Sequence, residues 1–234
     1  MSNLESLTSQ TGSLPAIALD FLTPMPGKSI MKNIAFAIFF MFLPLTARSE
    51  TKILFLGDSI TAGYGIEKRH SYPSLIERKL AAAIKETTVI NGGISGSTSA
   101  SALSRLKWYQ GAGPDVLFLA LGANDGLRGL STEQLYHNLS QAIQFALDSG
   151  MRVILAGMKM PPSYGREYTQ KFENVYRRLA REYSIIFMPF LLEEVGGRAE
   201  LNLPDGIHPN MEGHKRIAEN VFPYILQIYD TADR

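Results

Sequence analysis

The chain of 234 residues has no cysteine. That absence excludes a disulfide framework, a thiolate metal site and a cysteine nucleophile together. It leaves serine, aspartate, glutamate and histidine to carry any chemistry. Excess charge of one sign is also missing, with 23 Lys and Arg against 22 Asp and Glu. A nucleic-acid binder working through a basic face needs a surplus of cations, so no nucleic-acid partner is expected. No apolar run reaches the ~20 residues of a membrane-crossing helix. The segment Gly57–Gly65 lacks the Gly-Lys-Ser/Thr of a phosphate-binding loop. It also lacks Gly-x-Ser-x-Gly, the nucleophile elbow of the α/β-hydrolases.

The first 49 residues read differently from the rest. Met31-Lys32-Asn33 is a short basic start, and the apolar run Ile34–Leu45 after it is interrupted only by Pro44. Such a run has the length of a signal-peptide core, and Ala47-Arg48-Ser49 supplies a small-x-small cleavage site. Residues 1–30 show no hydrophobic periodicity. The expectation is therefore a start at Met31, with residues 1–49 an N-terminal extension and signal peptide. Export to the periplasm or the medium would release a chain beginning at Glu50. Removal of Lys28, Lys32, Arg48, Glu5 and Asp20 would leave 20 residues of each sign. Residues 50–234 suit one domain.

In that domain, apolar runs alternate with helical spacing. Lys52–Gly57, Thr88–Asn91, Val116–Gly122, Arg152–Met158 and Ile185–Phe190 read as strands buried on both faces. Leu75, Ile76, Leu80 and Ile84 mark a first helix, and a weaker one lies near Ser99–Trp108. Leu135, Leu139, Ala142, Ala146 and Leu147 mark a third, opened by the capping pair Ser131 and Gln134 and closed by Gly150. Phe172, Val175, Tyr176, Leu179 and Tyr183 mark a fourth, and Ile217, Val221, Tyr224, Ile225 and Ile228 the last. His214 falls in that last helix and is expected on its surface. Trp108 and the helical tyrosines are expected to pack. The alternation predicts an α/β fold, a three-layer α/β/α sandwich around a five-stranded parallel sheet. Ligands of such sheets bind beyond the carboxyl ends of the strands.

Four polar, glycine-rich segments fall there: Gly57–Gly63, Asn91–Thr98, Gly122–Gly126 and Asp205–Asn210. A serine hydroxyl attacks an acyl carbon only when a base takes its proton and a third group orients the base. Donors must also wait where the oxyanion forms. Ser59 is the candidate nucleophile, His208 the base and Asp205 the orienting carboxylate. The amides of Ser59 and Gly96 and the Asn124 side chain are the candidate oxyanion donors. Asp58 reads as a structural hydrogen-bond partner rather than a second catalytic acid. A metal set of Asp205, His208 and His214 is disfavoured because His208 already has a role, and no cofactor is expected.

Gly57-Asp58-Ser59, Gly96, Gly122-x-Asn124-Asp125 and Asp205-x-x-His208-Pro209 resemble the four sequence blocks of the SGNH (GDSL) hydrolases, in the family's order, across residues 50–228. Lys159–Arg166 and Asn124–Gly129 are similar to the secreted bacterial thioesterase I/lysophospholipase branch, with Ala123 and Ser97 standing where that branch often has Gly and Asp. The resemblance implies a flavodoxin-like fold and a serine esterase acting on carboxylic esters and thioesters of acyl chains. Small acyl esters or thioesters would be its substrates, with transient contact with lipid surfaces. A carbohydrate O-deacetylase and a catalytically silent binding domain are the alternatives on the same scaffold. No feature of the sequence sets an oligomeric state or a particular acyl carrier. The loop after the fourth strand carries no block, yet holds Met158, Met160, Pro161, Pro162 and Tyr164. It is expected to wall an acyl groove through Met160, Pro161, Pro162 and Tyr164, with Arg166 near the headgroup end.

Overall fold

The computed structural model describes residues 50–84 and 86–230. The expected start at Met31, the signal peptide and its cleavage site lie outside the described residues.

The elements follow in the order β1 (Thr51–Gly57), α1 (Ser59–Ala62), α2 (Tyr72–Ala83), β2 (Thr87–Gly93), α3 (Ala102–Tyr109) and β3 (Val116–Ala120). Then come α4 (Ala123–Leu127), α5 (Thr132–Asp148), β4 (Arg152–Ala156), α6 (Arg166–Tyr183), β5 (Ile186–Met188) and α7 (Met211–Asp230). All strand pairs are parallel, in the order β2-β1-β3-β4-β5. This is the flavodoxin-like order, whose direction reverses between β1 and β3. Helices α2 and α7 pack together, and α3, α5 and α6 pack on one another as the second helical layer.

Burial on both faces explains the apolar runs. Ile53–Leu56 of β1 and Val116–Leu119 of β3 have no accessible surface, so no position on either strand needs a polar side chain. Strand ends differ from the periodicity for local reasons. β5 stops at Met188 because Pro189 has no amide hydrogen to give the ladder. β3 stops at Ala120, ahead of Gly122 with its φ of +120°. β4 stops at Ala156, after which the Gly157 amide still donates to the Met188 carbonyl at 2.8 Å. The Ser131 side chain accepts from the Gln134 amide as the capping pattern predicts. Gly150, with φ +79°, closes α5 through amide bonds from Gly150 and Met151 back to Leu147 and Ala146.

Two burial expectations are corrected. His214 is fully buried rather than on the surface. It lies three and seven residues before Ile217 and Val221, on the α7 stripe that packs against α2. Trp108 is 76% exposed rather than packed, because α3 turns Ala102 and Leu106 inward and Trp108 away.

Candidate active site

The sharp exit from β1 positions Ser59. Asp58 caps α1 by accepting the Ile60 amide at 3.0 Å, so Ser59 becomes the first helical residue at the mouth of the reversal point. Gly93 lets β2 close on this turn, since a Cβ there would collide with the backbone of Thr61 and Ala62. Burial raises the Asp58 carboxyl from 3.8 to about 6, against the stabilising bond from Ile60. A carboxyl 2% exposed, engaged as a cap and not bonded to His208, serves the turn.

The base comes from the loop before α7. Asp205 Oδ1 accepts from the amides of Ile207 and His208, both at 2.9 Å, and this curls the loop into a single turn. Asp205 Oδ2 then meets His208 Nδ1 at 2.7 Å, while His208 Nε2 lies 2.9 Å from Ser59 Oγ. The amide of His208, then its ring, then the Ile207 amide hold the Asp205 carboxyl down to about 2. It is therefore ionised at any ordinary pH and can only accept, so Nδ1 carries the imidazole hydrogen. Nε2 is left as the acceptor, and the Ser59 hydroxyl donates to it. The Tyr64 ring covers one face of the imidazole, with centroids 4.5 Å apart.

The second arm is built from β2 and β3. Ile94–Ser97 form a turn closed by the Ser97 amide on the Ile94 carbonyl at 3.2 Å, with Gly96 at φ +77°. A positive φ at the third position alone makes this a type II turn, which only glycine takes without strain. Helix α4 fastens that segment residue by residue. Asn124 Nδ2 donates to the Ser97 carbonyl at 3.1 Å, leaving its other N–H free for a substrate oxygen. Asp125 accepts from the Ser99 amide at 2.8 Å and from its hydroxyl. Arg128 Nη2 donates to the Gly96 carbonyl at 3.0 Å.

Beside Ser59 opens an apolar cavity of about 350 Å³. Its walls include Ile60, Ala123, Met158, Met160, Pro161 and Pro162. The loop after β4 therefore stands where the sequence pattern expects it, with two corrections. Tyr164 does not line this cavity. The turn Pro162–Tyr164 carries it outward, and its hydroxyl donates to the Leu127 carbonyl at 2.9 Å. Arg166 opens α6 on a neighbouring groove with Tyr164 and Tyr168, away from the cavity. The far wall was not legible from the motifs: Phe190, Leu192, Gly196 and Gly197 come from the connection between β5 and α7, joined by Ile207. The Gly196-Gly197 pair was its only sequence signal. Tyr64 carries no sequence signal because a single residue in a loop has no pattern, and Arg128 lies within the block Asn124–Gly129, whose resemblance gives it no role of its own. No group of three or more His, Asp or Glu suited to a metal occurs among the described residues.

Comparison with known proteins agrees with this geometry. Residues 55–216 match the model of the GDSL-like lipase/acylhydrolase family. An arylesterase of Vibrio mimicus is 39% identical over 79% of this chain and 92% of its own. The Escherichia coli (strain K12) protein named thioesterase 1/protease 1/lysophospholipase L1 is 34% identical over 78% of this chain and 86% of its own. The crystal structure of TesA superposes with a TM-score of 0.73 at 38% identity, covering 75% of this chain and 98% of that one. The chain belongs to the GDSL-like lipase/acylhydrolase family and is an ester-hydrolysing serine enzyme.

Proposed function

We propose that this family member hydrolyses acyl esters and thioesters through an acyl-enzyme on Ser59, with Asp205 and His208 completing its triad. The observation that carries this reading is the continuous chain from Asp205 Oδ2 through His208 to Ser59 Oγ, at 2.7 and 2.9 Å. As Oγ bonds to the acyl carbon, its proton passes to His208 Nε2, and Asp205 stabilises the imidazolium that results. The carbonyl oxygen becomes an oxyanion met by the amides of Ser59 and Gly96 and the free N–H of Asn124. Collapse breaks the bond to the alcohol or thiol, which leaves with the Nε2 proton. Water then repeats the sequence on the acyl-enzyme, releasing the acid and restoring Ser59. The scheme uses no cofactor and no metal.

The apolar cavity supports acyl chains as the bound group. Methionine side chains adapt to varied apolar shapes, and each buried methylene contributes about 0.8 kcal/mol. The same reading takes the enzyme to the periplasm or the medium, following the signal-like stretch Met31–Ser49. Transient contact with lipid surfaces is supported by exposed Tyr64, Ile94, Leu130, Tyr164, Ile207 and Met211, all on segments beyond the carboxyl ends of the strands.

A fluorophosphonate should label the protein once, at Ser59, and Ser59→Ala should abolish both labelling and turnover. Label at another residue would remove the assignment, and no label at all would favour a silent binding domain. Across an ester series, kcat/KM should rise from acetyl to hexanoyl or beyond. Replacing Pro161-Pro162 by Gly-Gly should cost more on long esters than on acetyl esters. A wild-type preference for acetylated sugar over every longer ester would reject the acyl groove and promote the deacetylase.

A further inference from the structure

Two donors act on one oxyanion only if they converge on one point, yet Gly96 and Asn124 belong to different crossovers. Gly96 follows β2 and Asn124 follows β3, and β1 lies between those two strands. Something must lock the turn Ile94–Ser97 to α4. Asn124 binds the Ser97 carbonyl and Asp125 binds Ser99, both downstream of the donor amide. The nearest fastening to the donor comes from Arg128, whose Nη2 takes the carbonyl of Gly96 itself at 3.0 Å. The geometry is economical. Arg128 caps the end of α4 four residues after Asn124, and its amide closes the last turn of that helix on the Asn124 carbonyl at 3.2 Å. The two side chains therefore grip neighbouring carbonyls of the turn, those of Ser97 and Gly96.

We infer that Arg128 is a positioning residue for the reaction: it sets the Gly96 turn against α4 so that the Gly96 amide and the Asn124 side chain converge on the same substrate oxygen. This rests on the acyl-transfer reading above. The bond from a guanidinium to a carbonyl is charge-assisted and stronger than a neutral one. Arg128 is exposed and packs into no core, so its removal leaves the fold intact and acts on the turn. The turn stays type II without Arg128, because Gly96 allows it. What is lost is its register with Asn124.

The test compares wild type, Arg128→Met, Arg128→Lys and Asn124→Ala on a soluble short-chain ester. Arg128→Met should lower kcat about tenfold with KM unchanged, less than the roughly 10²–10³-fold expected of Asn124→Ala, which removes a donor outright. Arg128→Lys, keeping the charge and one donor at reach, should recover part of the loss. A trifluoromethyl ketone, whose hemiketal with Ser59 carries an oxyanion, should bind Arg128→Met weaker by the same factor as kcat falls. The thermal midpoint should not move, which separates positioning from a structural role. Wild-type kcat in Arg128→Met, or a loss confined to KM, would overturn the inference while leaving the esterase reading in place. A wild-type protein that neither hydrolyses esters nor takes the ketone would instead overturn the esterase reading.

Discussion

His208 in the loop Asp205–His208 and His214 in the first turn of α7 stand six positions apart and use the same side chain for opposite ends. His208 retains 20% of its side-chain exposure, holds a carboxylate on Nδ1 and faces Ser59 with Nε2. His214 has no exposure, and its Nδ1 accepts the Tyr72 amide at 3.2 Å. Its ring lies parallel to that of Tyr72, with centroids 6.2 Å apart. Burial, then repulsion from His208, lowers the His214 imidazole from 6.5 to about 4. One histidine is built to take a proton during turnover, and the other is kept from taking one. The partner and the solvent decide the chemistry, not the residue type.

The largest effect that sharpens this contrast is on turnover. His208→Ala should reduce kcat by at least about 10⁴-fold with little change in stability, since the ring sits in an open loop. His214→Gln should do the reverse. Its amide oxygen can still accept from Tyr72, so kcat should stay close to wild type while the amide NH2, buried without a partner, lowers stability by about 1–3 kcal/mol. Steady-state kinetics beside urea unfolding checks both. A His214→Gln enzyme as inactive as His208→Ala would erase the distinction.

Smaller effects appear in the pH dependence of stability. For His214, the unfolded chain takes its proton near 6.5 and the folded chain only near 4. Stability from this group is present above 6.5 and is lost as pH falls toward 4. Asp58 runs the other way. Its folded value of about 6 lies above the ordinary 3.8, so stability falls as pH rises from about 4 to 6. The rise is worth about 3 kcal/mol at most. The two slopes oppose each other over nearly one window and leave the wild-type profile shallow. His214→Gln should unmask the Asp58 slope, with stability falling from pH 4 to 6. Asp58→Asn should keep the Ile60 cap and unmask the His214 slope, with stability rising over the same range. Denaturant midpoints at pH 4, 5 and 6 measure this, and parallel profiles in all three proteins would reject it.

Much of the site was legible because its parts are local. Asp205 reaches His208 across three residues, and Asp58 caps two residues ahead, so the sequence blocks carry their own geometry. The strands were legible because burial on both faces leaves unbroken apolar runs. His214 was misread although its spacing to Ile217 and Val221 was visible, because a polar residue at the start of a helix usually faces water. Tyr164 was misplaced because its side of the loop depends on how the turn Pro162–Tyr164 leaves β4.

What the sequence determined by itself was the set of short-range devices: the capped turn bearing Ser59, the glycine turn at Gly96, the Asp205–His208 pair and the two-sided strands. What only the tertiary structure decided was which distant residues meet. Ser59 and His208 are 149 positions apart and come within 2.9 Å because the sheet order reverses beside β1. The cavity closes between the β4 loop and Phe190–Gly197, and Arg128 finds the Gly96 carbonyl across the same reversal. Local hydrogen bonds are written in spacing, whereas encounters across the sheet follow from the strand order that burial of the whole core selects.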